Sequence, residues 1–255
     1  MKFVLSIISL IIMISTFIVP PILFKKQNIS LSLKKILLGG ILYIMFCYIG
    51  GNGIYGAIVE LVGLGSSIVI SSIVSGIVFS LLTIASYLFL FKMFYKDEIN
   101  LNTICSIALG FALAQILLNV FSPLLTYVVV CYHMFNNSLL EWLTVTMPDL
   151  TSESITYVVS HYESYKISYA LFLGISGYIM LTIQMIASLS IGQMLKEKNK
   201  KIIITSLLAT FLFGTLYQLI PSINLDLALV IGLVFLALDF VFLINKKFRI
   251  WRINK

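Results

Sequence analysis

Apolar residues fill seven long blocks of this chain, 3–24, 36–59, 64–91, 103–132, 167–195, 202–220 and 227–244, separated by polar intervals. A helix crossing a hydrocarbon core of roughly 30 Å needs about 20 such residues. The blocks lack the strict alternation of a barrel strand, and a helix satisfies its own backbone groups in lipid, so each block predicts one spanning helix. Several blocks exceed the minimum, which permits tilt without setting its angle. No linker or shift of composition divides them. Residues 1–255 therefore read as one integral membrane domain, all-α, a polytopic membrane helical bundle of about seven transmembrane helices.

The intervals between blocks carry the topology. Fifteen of the seventeen Lys and Arg residues fall after the first, third, fifth and seventh blocks, leaving only Lys2 and Lys166 on the opposite side. Basic residues are retained in the cytoplasm, so the expected N-terminus is outside and the C-terminus cytoplasmic. The net charge of +7 is then a topology signal, not a nucleic-acid footprint. Composition agrees, with 60% hydrophobic residues, 11% charged and a mean hydropathy of +1.07. The lipid bilayer is the first expected partner, in a cell membrane that the Ile-, Lys- and Asn-rich usage suggests is bacterial. Lys2 ahead of the first block resembles a secretory signal. The block's length, its closure by Pro20 and Pro21, the lack of a small-x-small cleavage site and four following lysines favour a true span.

The 133–166 interval is the expected outer loop, net negative, with two short helices. SLLEWLTVTM suits an interfacial helix anchored by Trp142 and ended by Pro148. A second helix is expected to begin within 149–152, where side-chain oxygens can cap it. The tail NKKFRIWRINK reads as a cytoplasmic anchor with Trp251 in the headgroups. Cys47, Cys105 and Cys131, odd in number and on separate spans, read as small buried apolar side chains.

Polar groups inside hydrocarbon are candidate functional sites. Asp239, near the end of the last span, is the one intramembrane charge; near Lys246 and Lys247 it is expected to pair or snorkel inward, a structural role rather than a proton relay. Gln115 and Asn119, four apart, share a helix face. With Gln184, Gln193 and Gln218 they form a candidate polar seam in the bundle interior. Ser72, Gly76, Ser80 and Thr83 stripe the third helix with small side chains, which lets a neighbouring backbone approach and predicts that this helix is central. GGNGIYG, at 50–56, is expected to be a flexible end of the second span. His133, Glu141, His161 and Glu163 in the outer loop have no metal-ligand spacing, so no metal and no cofactor are expected.

The order of spans, the basic loop before LLGGILYIMF, the fourth-span segment IALGFALAQIL and the outer loop before a long fifth span resemble the YhfC family of bacterial membrane peptidases. These are glutamic-type intramembrane proteases related in organisation to CAAX-processing enzymes. The resemblance implies a Gly, two glutamates and an arginine in the third span, where this chain has GIVFSLLT, with Phe79, Ser80 and Thr83 at the matching positions. In the fourth span a family His and Glu correspond to Phe111 and Gln115. In the sixth a His and an Asp correspond to Thr210 and Gly214. Peptide hydrolysis needs a carboxylate to activate water and donors, cations or a metal for the oxyanion. The resemblance therefore implies a protease-like scaffold without its catalytic groups, binding a membrane protein or apolar peptide partner in an accessory or immunity-type role. Two readings compete. One is a transporter, or a subunit of one, holding a small neutral solute on Gln115, Asn119, Gln184 and Gln218. The other is an active peptidase using His133, Glu141, His161 and Glu163.

Overall fold

The computed structural model describes residues 2–63, 67–146, 148, 151–164 and 167–244, with the side chains of 152, 161–164, 205 and 235–244 excepted. Nine helices follow one another among these residues, with no strand. Helix α1 is Lys2–Lys26, α2 is Leu33–Val62, α3 is Ile68–Met93 and α4 is Leu101–Phe135. The short α5 (Leu139–Thr146) and α6 (Ser152–Ser164) precede the long α7 (Ile167–Glu197), then α8 (Ile202–Ile223) and α9 (Leu225–Ile244). Six of them, α1 to α4, α7 and α8, are long and apolar enough to cross a membrane. That is one fewer than the seven blocks. The seventh block does fold as α9, but the apolar stretch with described side chains there is only Leu225–Val234, and Asp239 and Lys246 lie beyond it.

Polar and small residues meet inside the bundle, while bulky apolar ones remain outside. Along α1, Ile8, Ile11, Ile18 and Ile22 are exposed, whereas Ser6, Ser9, Met13 and Thr16 are buried. Along α8, Ile204, Leu208, Leu212 and Leu216 form a similar outward stripe. Such a pattern suits hydrocarbon as the surrounding solvent. Pro20 and Pro21 lie inside α1 rather than closing it, and the helix continues to Lys26. Hydroxyls bond to their own helix, as Thr16 Oγ1 does to the Met13 carbonyl at 2.6 Å.

The axis of the bundle is α7, not α3. Of the most apolar window of α7, 83% is buried, against 33% for α3, and α7 packs on α1, α3, α4, α8 and α9. Its small residues face all ways, so neighbours approach on every side. A Cβ on Gly174 would meet the Ser9 backbone at 2.7 Å, and one on Gly192 would sit 3.1 Å from Ile104 Cγ1. The Ser188 hydroxyl donates across to the Ile104 carbonyl of α4 at 3.3 Å. The stripe on α3 is buried as expected, but its partner is α8 at the side of the bundle: a Cβ on Gly76 would come within 2.9 Å of Thr215 N.

Two stretches widen from α- to π-helix: Tyr43–Gly50 within α2 and Leu117–Phe121 within α4. The second has a local cause. Pro123 has no N–H to donate to the Asn119 carbonyl, and its ring crowds that carbonyl. The first runs into Gly50 and Gly51, and the 50–56 segment continues as helix to Val62. The helix ends at Gly63, whose φ of 65° is the left-handed conformation open to glycine.

The connections are tied by side chains. Asn100 Oδ1 accepts from Thr103 N at 3.0 Å and caps α4, and Thr151 Oγ1 accepts from Ser154 N at 3.2 Å ahead of α6. The Lys35 ammonium reaches Glu98 Oε2 at 2.9 Å and Thr103 Oγ1 at 2.7 Å, and lies 4.8 Å from the Tyr95 ring centroid. Because the Glu98 side chain is 64% exposed, Glu98→Gln should change stability by less than about 1 kcal/mol. Lys35→Ala, which also removes the Thr103 and Tyr95 contacts, should lose more. Unfolding midpoints of the two variants in one detergent compare them, and equal losses would contradict this account.

Candidate functional site

Both π-helical stretches face the same cleft. It has a volume of about 350 Å³ and is walled by α2, α3, α4, α7 and α8. Tyr43 and Cys47 reach it from the first widened stretch and Asn119 from the second. Asn119 Nδ2 donates to the Tyr43 hydroxyl at 2.7 Å and joins them. Such distortions recur at functional sites because they turn side chains off the regular helical face.

The floor of the cleft is a hydrogen-bonded chain. The Tyr87 hydroxyl donates to Gln184 Oε1 at 2.9 Å, and Gln184 Nε2 donates to Gln115 Oε1 at 2.9 Å. Tyr87 and Gln184 are fully buried and Gln115 is 2% exposed. Beneath it Phe111 packs against Tyr87, with ring centroids 4.9 Å apart, and against Tyr43 at 5.1 Å. At the rim Gln218 Nε2 donates to Ser75 Oγ at 2.8 Å, and Tyr55 hydrogen-bonds Ser71. Amides, hydroxyls and aromatic faces thus line the cleft, with no Lys, Arg, His, Asp or Glu among its described wall residues. Such a surface binds neutral polar groups and aromatic or apolar bodies. None of the described wall residues is a carboxylate that could act as a base.

Most of the expected seam assembles here. Gln115, Asn119 and Gln218 line the cleft and Gln184 lies directly beneath. Gln193 does not join them: its Nε2 donates to Glu197 Oε1 at 2.6 Å on the exposed end of α7. Nine residues at about 100° each carry it to the opposite helix face from Gln184. Of the positions matched to the peptidase motifs, Phe79, Gln115 and Gly214 line the cleft. Thr83 is buried 3.8 Å from Cys47 Sγ, and Ser80 and Thr210 bond back to the Ile77 and Ser206 carbonyls. Among the described residues, the outer loop forms no group of three or more His, Cys, Asp and Glu. His133, in the last turn of α4, bonds Ser138 Oγ through Nδ1 at 2.9 Å and stacks on Trp142, and Glu141 opens α5. The side chains of His161 and Glu163 lie outside the described set.

Sequence reasoning missed the tyrosines Tyr43, Tyr87 and Tyr217. The available signal was their depth within spans, where a phenol needs a partner. No protein-family model, curated protein or solved structure matches the chain, so its own residues carry the functional argument.

Proposed function

We propose that this is a non-catalytic, seven-span membrane protein on a protease-like, YhfC-type scaffold, and that the central cleft binds a membrane protein segment or apolar peptide. In this reading the N-terminus is outside, the C-terminus faces the cytoplasm of a bacterium, and the role is accessory or immunity-type. The observation that carries it is the cleft with no charged residue among its described walls, lined by Phe79, Gln115 and Gly214, three of the positions where the resemblance expects catalytic groups. At Gly214 an added Cβ would already meet Gly76 Cα at 3.1 Å and Phe79 Cδ1 at 3.2 Å, leaving no room for a carboxylate without moving α3. A peptide in hydrocarbon carries amide groups that need partners, and Gln115 and Asn119 supply both donors and acceptors.

Purified protein in lipid nanodiscs should bind a fluorescent apolar transmembrane peptide saturably and leave it uncleaved. Gln115→Leu should weaken that binding about tenfold, the equivalent of one lost hydrogen bond of about 1.4 kcal/mol. Cleavage above the peptide-only rate would sink the proposal.

A second reading, transport of a small neutral solute, draws on the meeting of Gln115, Asn119 and Gln218 in the cleft above Gln184. Solute uptake by proteoliposomes, lost in Gln184→Leu, would favour it over partner binding.

A further inference from the structure

A second cavity, of about 290 Å³, lies between α7, α8 and α9. Its walls are Ile, Leu, Ala, Phe and Gly apart from Tyr217, and Leu212 and Leu216 on its rim belong to the outward stripe of α8. Phe213 and Tyr217 line this groove and the polar cleft alike. The two rings, with centroids 5.4 Å apart, stand as a partition between a compartment of amides and hydroxyls and one open to the apolar exterior. On the polar side, Gln115 spends its Oε1 on Gln184, and its Nε2 has no acceptor among the described residues although Gln115 is 2% exposed. The Tyr43 hydroxyl accepts from Asn119 and keeps its own proton to give.

We propose that cleft and groove together form one site for a neutral single-chain amphiphile, its hydroxyl- or amide-bearing head on Gln115 and Tyr43 and its hydrocarbon chain in the groove past Phe213 and Tyr217. The proposal rests on the reading of the cleft as a binding site and names a ligand class for it. The head must be uncharged, because no cation among the wall residues would neutralise a phosphate or carboxylate and burying an unpaired charge is prohibitive. The chain must be apolar, because the groove offers only dispersion contacts. An ordinary membrane phospholipid meets the second condition and fails the first.

The test uses the full-length protein in phosphatidylcholine liposomes with a photoreactive monoacylglycerol. Labelling should saturate, map to α8 and α9, and be displaced by unlabelled 1-monooleoylglycerol at least tenfold more effectively than by oleate. Gln115→Leu, which removes the head contact, and Leu216→Trp, which fills the groove from its exposed rim, should each cut saturable labelling at least fivefold. Two variants in separate compartments guard against a folding defect in either. Labelling that rises linearly with probe, or displacement by oleate equal to that by monooleoylglycerol, would mean bulk solvation and overturn the proposal. Measuring the transmembrane peptide in the same liposomes separates the two ideas. Saturable peptide binding without saturable monoacylglycerol labelling overturns the amphiphile alone, whereas saturable binding of neither overturns the binding-site reading on which it rests.

Discussion

Gly110→Leu should leave almost no folded protein recoverable in mild detergent. A side chain at Gly110 points into the α2 backbone: even a Cβ would clash with the Ile36 carbonyl oxygen and lie 2.6 Å from its carbon and 2.8 Å from Ile36 Cα. The contact is reciprocal, since a Cβ on Gly39 would clash with the Ile107 carbonyl oxygen and come within 3.2 Å of Ile107 Cα. Overpacking typically costs about 1–3 kcal/mol when side chains can give way. Here backbone would have to give, so even Gly110→Ala should reach at least the top of that range. Gly56→Ala is the matched control, because nothing lies within 4 Å of a Cβ there, and alanine's helix preference should stabilise by up to about 1 kcal/mol. Thermal unfolding midpoints of the two alanine variants decide it. A Gly110→Ala protein as stable as wild type would mean that α2 and α4 are not in backbone contact.

The second large effect is expected at Gln184, the middle of the chain under the cleft. Gln184→Leu leaves Gln115 Oε1 without its donor and Tyr87 with only the Gln184 carbonyl at 3.5 Å. A stranded buried group costs about 1–3 kcal/mol, so the single substitution should lose about 2–4 kcal/mol. Adding Tyr87→Phe and Gln115→Leu removes the stranded groups and should restore a good part of that stability. Interhelical hydrogen bonds in membrane proteins average only about 0.6 kcal/mol. A fully connected, dry network is the setting in which the coupling should exceed that mean. Reversible unfolding of the single, double and triple variants measures it, and strictly additive losses would show that the three residues do not act as a unit.

How much of this was legible in the sequence depends on the kind of information each feature needs. Span positions follow from block length alone: five blocks lie within long apolar helices, and a sixth, 64–91, overlaps one that begins at Ile68. The seam was legible in part because helical spacing pairs Gln115 with Asn119, and the same spacing, applied across α7, would have removed Gln193. The central place of α7 was harder to read. The stripe on α3 and the small residues of α7 look alike residue by residue. They differ in what surrounds them: α3 keeps Ile73, Ile77 and Leu81 exposed, whereas Ser168, Gly174, Ser176, Gly177 and Ser188 leave α7 without a bulky outward face. The cleft needed tertiary structure, since Tyr43, Asn119, Phe213 and Gln115 come from three helices whose relative rotation no local pattern encodes. Pro123 hinted at one distortion, but nothing local announced that the other would face it.

Those two widened stretches also bear on how such a bundle changes over generations. One residue gained or lost inside a span turns everything beyond it by about 100° about the helix axis, unless a wide turn absorbs the surplus locally. Tyr43–Gly50 and Leu117–Phe121 are turns of that kind, and they meet on adjoining walls of one cavity. A lineage carrying them can exchange which side chains look inward by a single in-frame codon change, with the outer half of the helix left seated in lipid. The glycine contact between α2 and α4, where backbone meets backbone, has no such slack.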